Sequence, residues 1–418
     1  MNAGRQSTGM TVAMEDEDLL RDFDLRNLPP AFHENPYQYY HALRRASPVR
    51  LMPDGSYLLT RYRDVDSVYR NKEAYSSDKK IEFGAKFGDT PLFAHHTTSL
   101  VFNDPPLHSR VRRILAGALT PRAVAAMEPD LLRLVEFLLD GLEKSADVDL
   151  IDDYAAAIPV EVIGNLLAIP HEERGPLRDW SLAILGALEP APSVGALDRG
   201  NAAVSAFIAY LDDLVRSRTK RPGDPDKDVL TRLIQGVGET GEALSNAELL
   251  HNCIFILNAG HETTTNLIGN GLFALQEWPG ERRRLIENPD LIQPAIEEFL
   301  RFESSNQLGN RSTRTEVTLG DVTIPAGGFI TLCIGAANRD PEQFPEPDRL
   351  DISRQSNRHL AFGAGIHQCA GLALARLEGA VAIGGFLSRF PRFQIGSAVV
   401  RGRRARFRGF VHLPAYLH

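Results

Sequence analysis

Cysteine is scarce in this sequence, since only Cys253, Cys333 and Cys369 occur among 418 residues. Their odd number and wide spacing argue against a disulfide framework and favour a reducing compartment. We therefore expect a cytoplasmic protein. Each cysteine is then either a packed apolar side chain or a reactive thiol.

The sequence also lacks a secretory signal, an apolar run long enough to cross a bilayer, and an excess of basic residues. The formal net charge is −8, so neither nucleic acid nor a membrane is an expected partner. Residues 1–30 are acidic and predict a flexible N-terminal segment. The composition, 43% hydrophobic and 24% charged, is typical of a soluble globular protein. Because no repeat or long linker interrupts it, we expect a single domain over 1–418.

A regular alternation of strands and helices is absent as well, which argues against a doubly wound sheet. Extended runs flank Asp54-Gly55 and Gly320-Asp321, and both dipeptides favour hairpins. Helical patterns dominate from about residue 105 onward. The sequence therefore predicts a mainly α fold with small β-sheets, an α+β arrangement.

The longest predicted helix begins at Ser245, where Glu248 stands three residues later and completes the form of a capping box. The helical pattern stops at Trp278-Pro279. A helix of about 30 residues is about 45 Å long, enough to cross the molecule. Its middle is apolar on nearly every side, which indicates a helix buried in the centre of the fold.

The most informative stretch is "FGAGIHQCAG" at 362–371. Gly363 and Gly365 allow the backbone to turn tightly beside a flat ligand. A helical pattern follows Cys369, so its sulfur would lie at a helix N-terminus, where free N–H groups favour a thiolate. This predicts a metal-binding or nucleophilic sulfur, against the alternative of a buried apolar cysteine.

A second stretch, "AGHETTT" at 259–265, lies inside the long helix. Glu262 and Thr263 place an acid beside an alcohol, and the Thr263 hydroxyl can bond to the carbonyl four residues back. Such a pair could carry protons to a buried reactive atom. A polar helix face packed against another polar surface explains the pattern equally well. The stretch is not a zinc-protease motif, because Thr265 stands where a second histidine is required.

Two pairs have an ordinary interpretation beside a functional one. Glu298 and Arg301 are three residues apart on a helix, a spacing usually found in weak surface ion pairs. His108 and Arg112 are four apart on one helical face, which suits a bound carboxylate or phosphate as well as an exposed basic helix.

In their order along the chain, these stretches resemble the cytochrome P450 superfamily of haem-thiolate mono-oxygenases over about residues 30–418. "FGAGIHQCAG" matches the haem-binding pattern F-x-x-G-x-[HR]-x-C-x-G at every defined position. The resemblance implies haem b as the cofactor and Cys369 as the metal ligand. It implies cofactor-binding roles for a wider set: His108, Arg112, Ala259, Arg311, Phe362, Gly363, His367 and Gly371. Within that set, His108, Arg112, Arg311 and His367 would hold the haem propionates.

The same resemblance implies that Glu262 and Thr263 are the catalytic acid and alcohol that deliver protons to dioxygen. It makes Glu298 and Arg301 a buried structural pair with Arg354 as third member. The expected fold is the triangular prism of the family, with the long central helix crossing the haem. Cys253, Cys333 and His359 match no ligand position and are assigned to packing.

The substrate side is less defined. By the same mapping Phe255 and Asn258 face the distal pocket, and Gln307 lies where a pocket-lining strand begins. We expect Asn258 or Gln307 to bond to a polar group of the substrate, unless both amides satisfy backbone groups. The segments 79–100 and 178–200 correspond to the family's variable regions that cover the substrate and are consistent with a mobile lid.

The resemblance implies insertion of one oxygen atom from O2 into a C–H bond of a small to medium, largely apolar substrate, by hydroxylation or oxidative dealkylation. Electrons would come from a separate ferredoxin with an NAD(P)H-dependent reductase, because this sequence has no room for a flavin or iron–sulfur domain. Arg110, Arg113 and Arg122 map near the proximal side and could dock an acidic ferredoxin. The alternatives are a peroxide-driven haem-thiolate peroxygenase and a non-catalytic haem sensor.

Overall fold

The computed structural model describes residues 14–117, 119–225, 228–235 and 244–417. Helices account for most of these residues. From Pro30 onward, the α-helices in chain order are Pro30–Glu34, Tyr37–Ala46, Tyr62–Arg70, Lys80–Phe87, Pro91–Thr98, Leu107–Ala116, Pro121–Glu143, Ala157–Leu166, Leu177–Gly186, Val194–Lys220, Val229–Gln235, Asn246–Glu277, Pro279–Glu287, Ile292–Phe302, Ile334–Ala337 and Leu372–Arg389. Short 3-10 turns cover Leu100–Phe102, His171–Glu173, Pro289–Leu291 and Gly365–His367, and a π-helical turn covers Ile151–Ala155.

The strands are short and form four small sheets. They are β1 (Val49–Leu51), β2 (Tyr57–Leu59), β3 (Tyr75–Ser76), β4 (Val148–Asp149), β5 (Leu308–Thr313), β6 (Val317–Leu319), β7 (Val322–Ile324), β8 (Phe329–Cys333), β9 (Gln394–Ile395), β10 (Val400–Arg401), β11 (Phe410–His412) and β12 (Pro414–Tyr416). The main sheet has the order β1-β2-β8-β5-β3, and the others are β4-β12-β9, β6-β7 and β10-β11. Both hairpins predicted from the sequence, β1-β2 and β6-β7, are confirmed as antiparallel pairs. The mainly α prediction with small sheets is confirmed too.

The central helix, Asn246–Glu277, organises the core. The predicted capping box is present, because the Glu248 N–H donates to Ser245 Oγ and the Ser245 N–H donates to the Glu248 carboxylate at 2.8 Å. The helix ends before Pro279, whose ring cannot continue it. Its buried amides bond to other segments, as when Asn270 Nδ2 donates to the Arg408 carbonyl at 3.0 Å. These bonds fix the helix against the sheets that flank the site.

The N-terminal segment corrects one expectation. The part at 1–13 lies outside the described residues, whereas 14–20 are helical and residues from 14 onward pack against the fold. Leu20 and Phe23 are buried, and the Phe23 ring lies 6.0 Å from that of Tyr39. Asp16 accepts hydrogen bonds from Arg45 at 2.6 and 2.8 Å. The prediction of a flexible segment up to about residue 30 is therefore wrong for 14–30, because these apolar side chains have a partner in the helix Tyr37–Ala46.

Among the described residues, no helix combines the length and apolar character needed to span a bilayer. The central helix is the longest α-helix of the described residues. It is enclosed by the other helices rather than exposed, and it carries buried asparagines, histidines and threonines along its length.

Candidate active site

A large cavity lies between the central helix and the loop that carries Cys369. Its volume is about 360 Å³, within the range of about 300–1,000 Å³ found for small-molecule sites. Phe255, Asn258, Ala259 and Thr263 line it from the helix. From the loop, the lining residues are Ala361, Phe362, Gly363, His367, Gln368, Cys369, Ala370 and Gly371.

The Cys369 loop is shaped by two glycines. Gly363 and Gly365 have φ angles of +63° and +68°, a region that other residues rarely adopt. A Cβ on Gly365 would lie 2.2 Å from the Tyr69 carbonyl oxygen, so this position also requires the missing side chain. The Cys369 N–H donates to the Phe362 carbonyl at 2.9 Å and closes the loop. The loop therefore presents the sulfur to the cavity in one fixed conformation.

The electrostatics of Cys369 differ from the expectation. The sulfur does accept a hydrogen bond from the Gly371 N–H, next to the helix that begins at Leu372. Burial nevertheless outweighs this bond and the charges of Arg112 and Arg376, and it raises the pKa of the thiol. The helix N-terminus alone does not produce a thiolate here. A bound metal cation would, because coordination deprotonates the sulfur.

The acid and the alcohol of the central helix point in different directions. Thr263 lines the cavity, and its hydroxyl donates to the Ala259 carbonyl at 2.6 Å, as the sequence predicts. Glu262 is buried away from the lining, where Arg404 donates to one carboxylate oxygen and the other has no hydrogen-bond partner. Burial raises the pKa of Glu262, and Arg404 opposes this rise. Arg404 also bonds to Glu189 at 3.1 Å, whose side chain is 16% exposed.

A basic cluster, His108, Arg112, Arg311 and His367, gathers at one side of the cavity. Arg112, Arg311 and His367 line it, while the His108 ring lies behind, 4.0 Å from that of His367. Within the described residues, the guanidiniums hydrogen-bond only to backbone, Arg112 to the Gln368 carbonyl at 2.6 Å and Arg311 to the Asn310 carbonyl at 2.7 Å. Both ring nitrogens of His108 and Nε2 of His367 lack partners. Burial lowers the pKa of these histidines, to about 4 for His108 and about 2 for His367. The cluster thus has N–H donors that are not used within the protein, and no carboxylate of the described residues hydrogen-bonds to it.

The predicted triad is assembled behind the cavity. Arg301 donates to both carboxylate oxygens of Glu298, at 2.7 and 2.8 Å, and both side chains are 0% exposed. Arg354 Nε lies 3.1 Å from each of the same oxygens. Arg301 also donates to the carbonyls of Asn338, Pro347 and Arg349. This arrangement ties three separate segments together.

Two of the three residues expected on the substrate side line the cavity. Phe255 and Asn258 line the cavity, but Gln307 does not: its Nε2 donates to the Ser304 carbonyl at 2.7 Å. Contrary to the expectation, Gln307 does not reach the cavity in this structure, and the neighbouring Asn306 lines it instead. An isolated antiparallel bridge between Asn306 and Phe407 sets which residue faces inward.

Several lining or supporting residues were missed by sequence reasoning. His95 and His96 line the cavity from the helix Pro91–Thr98, within the segment predicted to cover the substrate. Glu378 also lines it, and burial raises the pKa of its carboxyl to about 8. Arg404 and Glu189 come from distant segments. Of these residues, only the two histidines could have been found from the sequence, because they lie in the segment predicted to cover the substrate.

A deep apolar cavity with a fixed cysteine, an alcohol on the facing helix and a basic cluster defines a thiolate-ligated cofactor site. Comparisons with known proteins agree. Residues 194–396 match the family model "Cytochrome P450". The vitamin D(3) 25-hydroxylase of Pseudonocardia autotrophica is 41% identical over 369 residues, covering 87% of this chain and 88% of the relative.

Two solved structures extend the likeness to the fold. P450BioI, in complex with hexadec-9Z-enoic acid ligated acyl carrier protein, has a TM-score of 0.87, 32% identity and coverage of 93% of this chain and 100% of the neighbour. CYP109E1 of Bacillus megaterium, in complex with testosterone, has a TM-score of 0.85 at 30% identity, covering 94% and 100%. The chain belongs to the cytochrome P450 family and is a mono-oxygenase of the bacterial type.

The residues present fit haem b, the cofactor of this family. The basic cluster offers the donors that two propionate carboxylates require, and its unpartnered histidine nitrogens lack such an acceptor in the protein itself. Gly363 lines the cavity, so the loop carries no side chain at that point of the wall. Cys369 supplies the only thiol among the described lining residues. Cys253 and Cys333 are fully buried elsewhere, and burial raises the pKa of each thiol to about 12.

Proposed function

We propose that this cytochrome P450 inserts one oxygen atom from O2 into a C–H bond of a small to medium organic substrate, by hydroxylation or oxidative dealkylation. The observation that carries the proposal is the single cavity shared by Cys369 and Thr263. Haem held by a cysteine thiolate supplies the oxygen-activating chemistry. The chain itself binds the cofactor, excludes water from the apolar lining and brings protons to the cavity.

Proton delivery is assigned to Glu262 and Thr263. Burial raises the pKa of the Glu262 carboxyl, so it holds a proton more readily than an exposed carboxyl does. Glu262 keeps one oxygen without a partner, so a modest side-chain rotation could turn it from Arg404 toward the cavity. Arg404 links Glu262 to Glu189, whose side chain is partly exposed. This chain of contacts provides the proposed route from solvent. The Thr263 hydroxyl then positions the last donor at the cavity wall.

The substrate is proposed to be largely apolar. Leu185, Leu188, Val229, Phe255 and Ile256 contribute to the lining, and an apolar wall favours an apolar molecule. Relatives named for vitamin D(3) and bound to testosterone support a substrate of this kind. Asn258 remains a candidate polar contact, because its Oδ1 has no partner and its Nδ2 lies 3.5 Å from His95.

Electrons are proposed to come from a ferredoxin and its NAD(P)H-dependent reductase in the cytoplasm. Arg113 and Arg122 are exposed, and the helix of Arg113 contacts the Cys369 loop through Arg112 and the Gln368 carbonyl. Arg110 fits this surface less well than expected, since it pairs with Glu248. We therefore propose Arg113 and Arg122, without Arg110, as the residues that dock the ferredoxin.

Two measurements test the proposal. Carbon monoxide added to the reduced protein should shift the Soret band as thiolate ligation requires. A reconstituted ferredoxin system with NADH should then support product formation that hydrogen peroxide alone does not match. Turnover with peroxide alone at an equal rate would favour a peroxygenase. Absence of product under either condition would favour a haem sensor.

A further inference from the structure

The C-terminal segment 404–408 turns three arginines inward at alternate positions. Arg404 pairs with Glu262 and Glu189, and Arg408 pairs with Glu303. Buried arginines normally find such carboxylates, because an unpaired buried charge is costly.

Arg406, between them, has no such partner. Its Nη1 donates to the Leu308 carbonyl at 3.0 Å, its Nη2 to Asn310 Oδ1 at 2.5 Å and its Nε to the Leu188 carbonyl at 3.3 Å. Each of these acceptors is neutral. No carboxylate oxygen of the described residues forms an ion pair with this guanidinium. Glu189 accepts instead from the Arg406 main-chain N–H at 3.2 Å.

The guanidinium belongs to the cavity wall. Arg406 lines the cavity together with Arg112 and Arg311, and Glu378 is the one acidic residue among the described lining residues. A carboxyl with a pKa of about 8 is mostly protonated at neutral pH. The lining therefore has an excess of positive charge, although Glu189 and Glu82 outside the lining also act on Arg406. The haem propionates would account for Arg112 and Arg311.

Arg406 is near Arg311, since both charges act on Tyr69 and Lys79, but it also acts on a part of the cavity wall that the basic cluster does not affect. Its charge lowers the pKa of His96, whereas the pKa of His367 responds to Arg311, His108 and Arg112. Its main chain pairs with the strand that lines the substrate space, since the Gln307 N–H donates to the Arg406 carbonyl at 2.7 Å. The neighbouring Ser305 lines the cavity, and its hydroxyl oxygen is buried without a hydrogen-bond partner.

We infer that the substrate is an organic acid whose carboxylate binds the Arg406 guanidinium, while its apolar body extends through the cavity toward Thr263. This inference rests on the proposed function and narrows its substrate to one chemical class. A guanidinium fork matches a carboxylate geometrically, and the remaining N–H donors of Arg406 are available for it. Ser305 supplies a further donor on the same wall.

Spectral titration of the haem-loaded protein tests the inference with two matched probe pairs. One pair is tetradecanoate and its methyl ester; the other is 3-oxoandrost-4-ene-17β-carboxylate and its methyl ester. The readout is the Soret shift that accompanies loss of water at the haem. In the wild type we expect at least one acid to bind about tenfold or more tightly than its ester, the effect of one charged hydrogen-bonded contact.

Variants separate a role in binding from a role in folding. Arg406→Gln should abolish the preference for the acid and leave ester affinity unchanged, while Arg406→Lys should retain part of it. Arg403→Gln, which removes an exposed charge from the same segment, should change neither value. Failure of both acids to bind better than their esters in the wild type, absence of binding included, overturns the inference. An unchanged preference in Arg406→Gln does so as well. If either result overturns the inference but the carbon monoxide spectrum is normal, the proposed mono-oxygenase function still stands.

Discussion

The guanidinium of Arg404 donates a hydrogen bond to the buried carboxylate of Glu262 across 142 positions of sequence. This bond holds Glu262, the proposed acid, away from the cavity that Thr263 lines. It makes a residue of the C-terminal segment part of the proposed proton route. A side chain that competes for Glu262 can set both how readily the carboxyl releases a proton and which way it points.

Glu262→Gln should lower turnover at least tenfold, because the amide cannot carry an acidic proton. Arg404→Gln should have a smaller effect, since the carboxyl remains but its pKa rises further without the cation. Product formation in the reconstituted system, measured beside substrate affinity by spectral titration, checks both variants. Affinity should be unchanged in Glu262→Gln, whose side chain is outside the lining. Wild-type turnover in this variant would remove Glu262 from the proton route.

Arg112→Leu should weaken haem retention, because a propionate would lose a charged donor. The ratio of haem absorbance to protein after extensive dialysis measures this loss. Arg113→Leu is the matched control: it lies on the same helix, is exposed, and is absent from the cavity wall. Equal haem content in the two variants would contradict the proposed role of Arg112.

Arg113→Glu combined with Arg122→Glu should raise the KM for an acidic ferredoxin several-fold and reduce the salt dependence of turnover. Both charges are exposed, so folding should be preserved. Steady-state rates at two ionic strengths provide the measurement. A KM that does not respond to the charge reversal would argue for docking elsewhere.

Arg301→Leu should destabilise the fold by about 3–5 kcal/mol, the usual cost of leaving a buried partner charge unpaired. The partner here is Glu298, which is 0% exposed. Denaturant unfolding of the haem-loaded protein gives the value. Arg216→Gln removes an ion pair whose arginine is 65% exposed, and it should cost less than about 1 kcal/mol. Similar losses in the two variants would exclude a special role for the buried triad.

His261 predicts a loss of stability in acid. Both ring nitrogens lack hydrogen-bond partners, and burial together with the charge of Arg178 lowers its pKa to about 3. The unfolded chain, with a histidine pKa of about 6.5, binds more protons between these values. Stability therefore falls as pH falls through this window, by about 2 kcal/mol at pH 5 from this residue alone. His261→Leu should flatten the dependence measured by urea unfolding between pH 7 and 5, whereas His171→Gln, at an exposed site, should leave it unchanged.

Local sequence patterns predicted the features that depend on local interactions. The capping box at Ser245, the two hairpins and the glycines around Cys369 are each encoded within a few residues, so the sequence alone identified them. The Thr263 hydroxyl bond to Ala259 is of the same kind.

The errors arise where distant segments meet. Gln307 was expected in the cavity, but a single bridge between Asn306 and Phe407 turns Asn306 inward instead. Neighbouring residues of an extended segment point to opposite sides, so a shift of one residue exchanges the side that faces the cavity. Arg404 and Arg406 occur in a basic run that resembles solvated surface. Their inward positions depend on Glu262 and on carbonyls of Leu188 and Leu308, which no local pattern announces.

The absence of a side chain at Gly365 determines how closely the Cys369 loop packs on a neighbouring helix. Because a methyl group there would collide with the Tyr69 carbonyl, the loop is seated directly on the backbone of the helix Tyr62–Arg70. Any substitution at Gly365 would push the loop away from this helix and move Cys369 with it. The position of the Cys369 sulfur at the cavity therefore depends on a backbone-to-backbone contact, in which the hydrogen atom of Gly365 takes the place of a side chain.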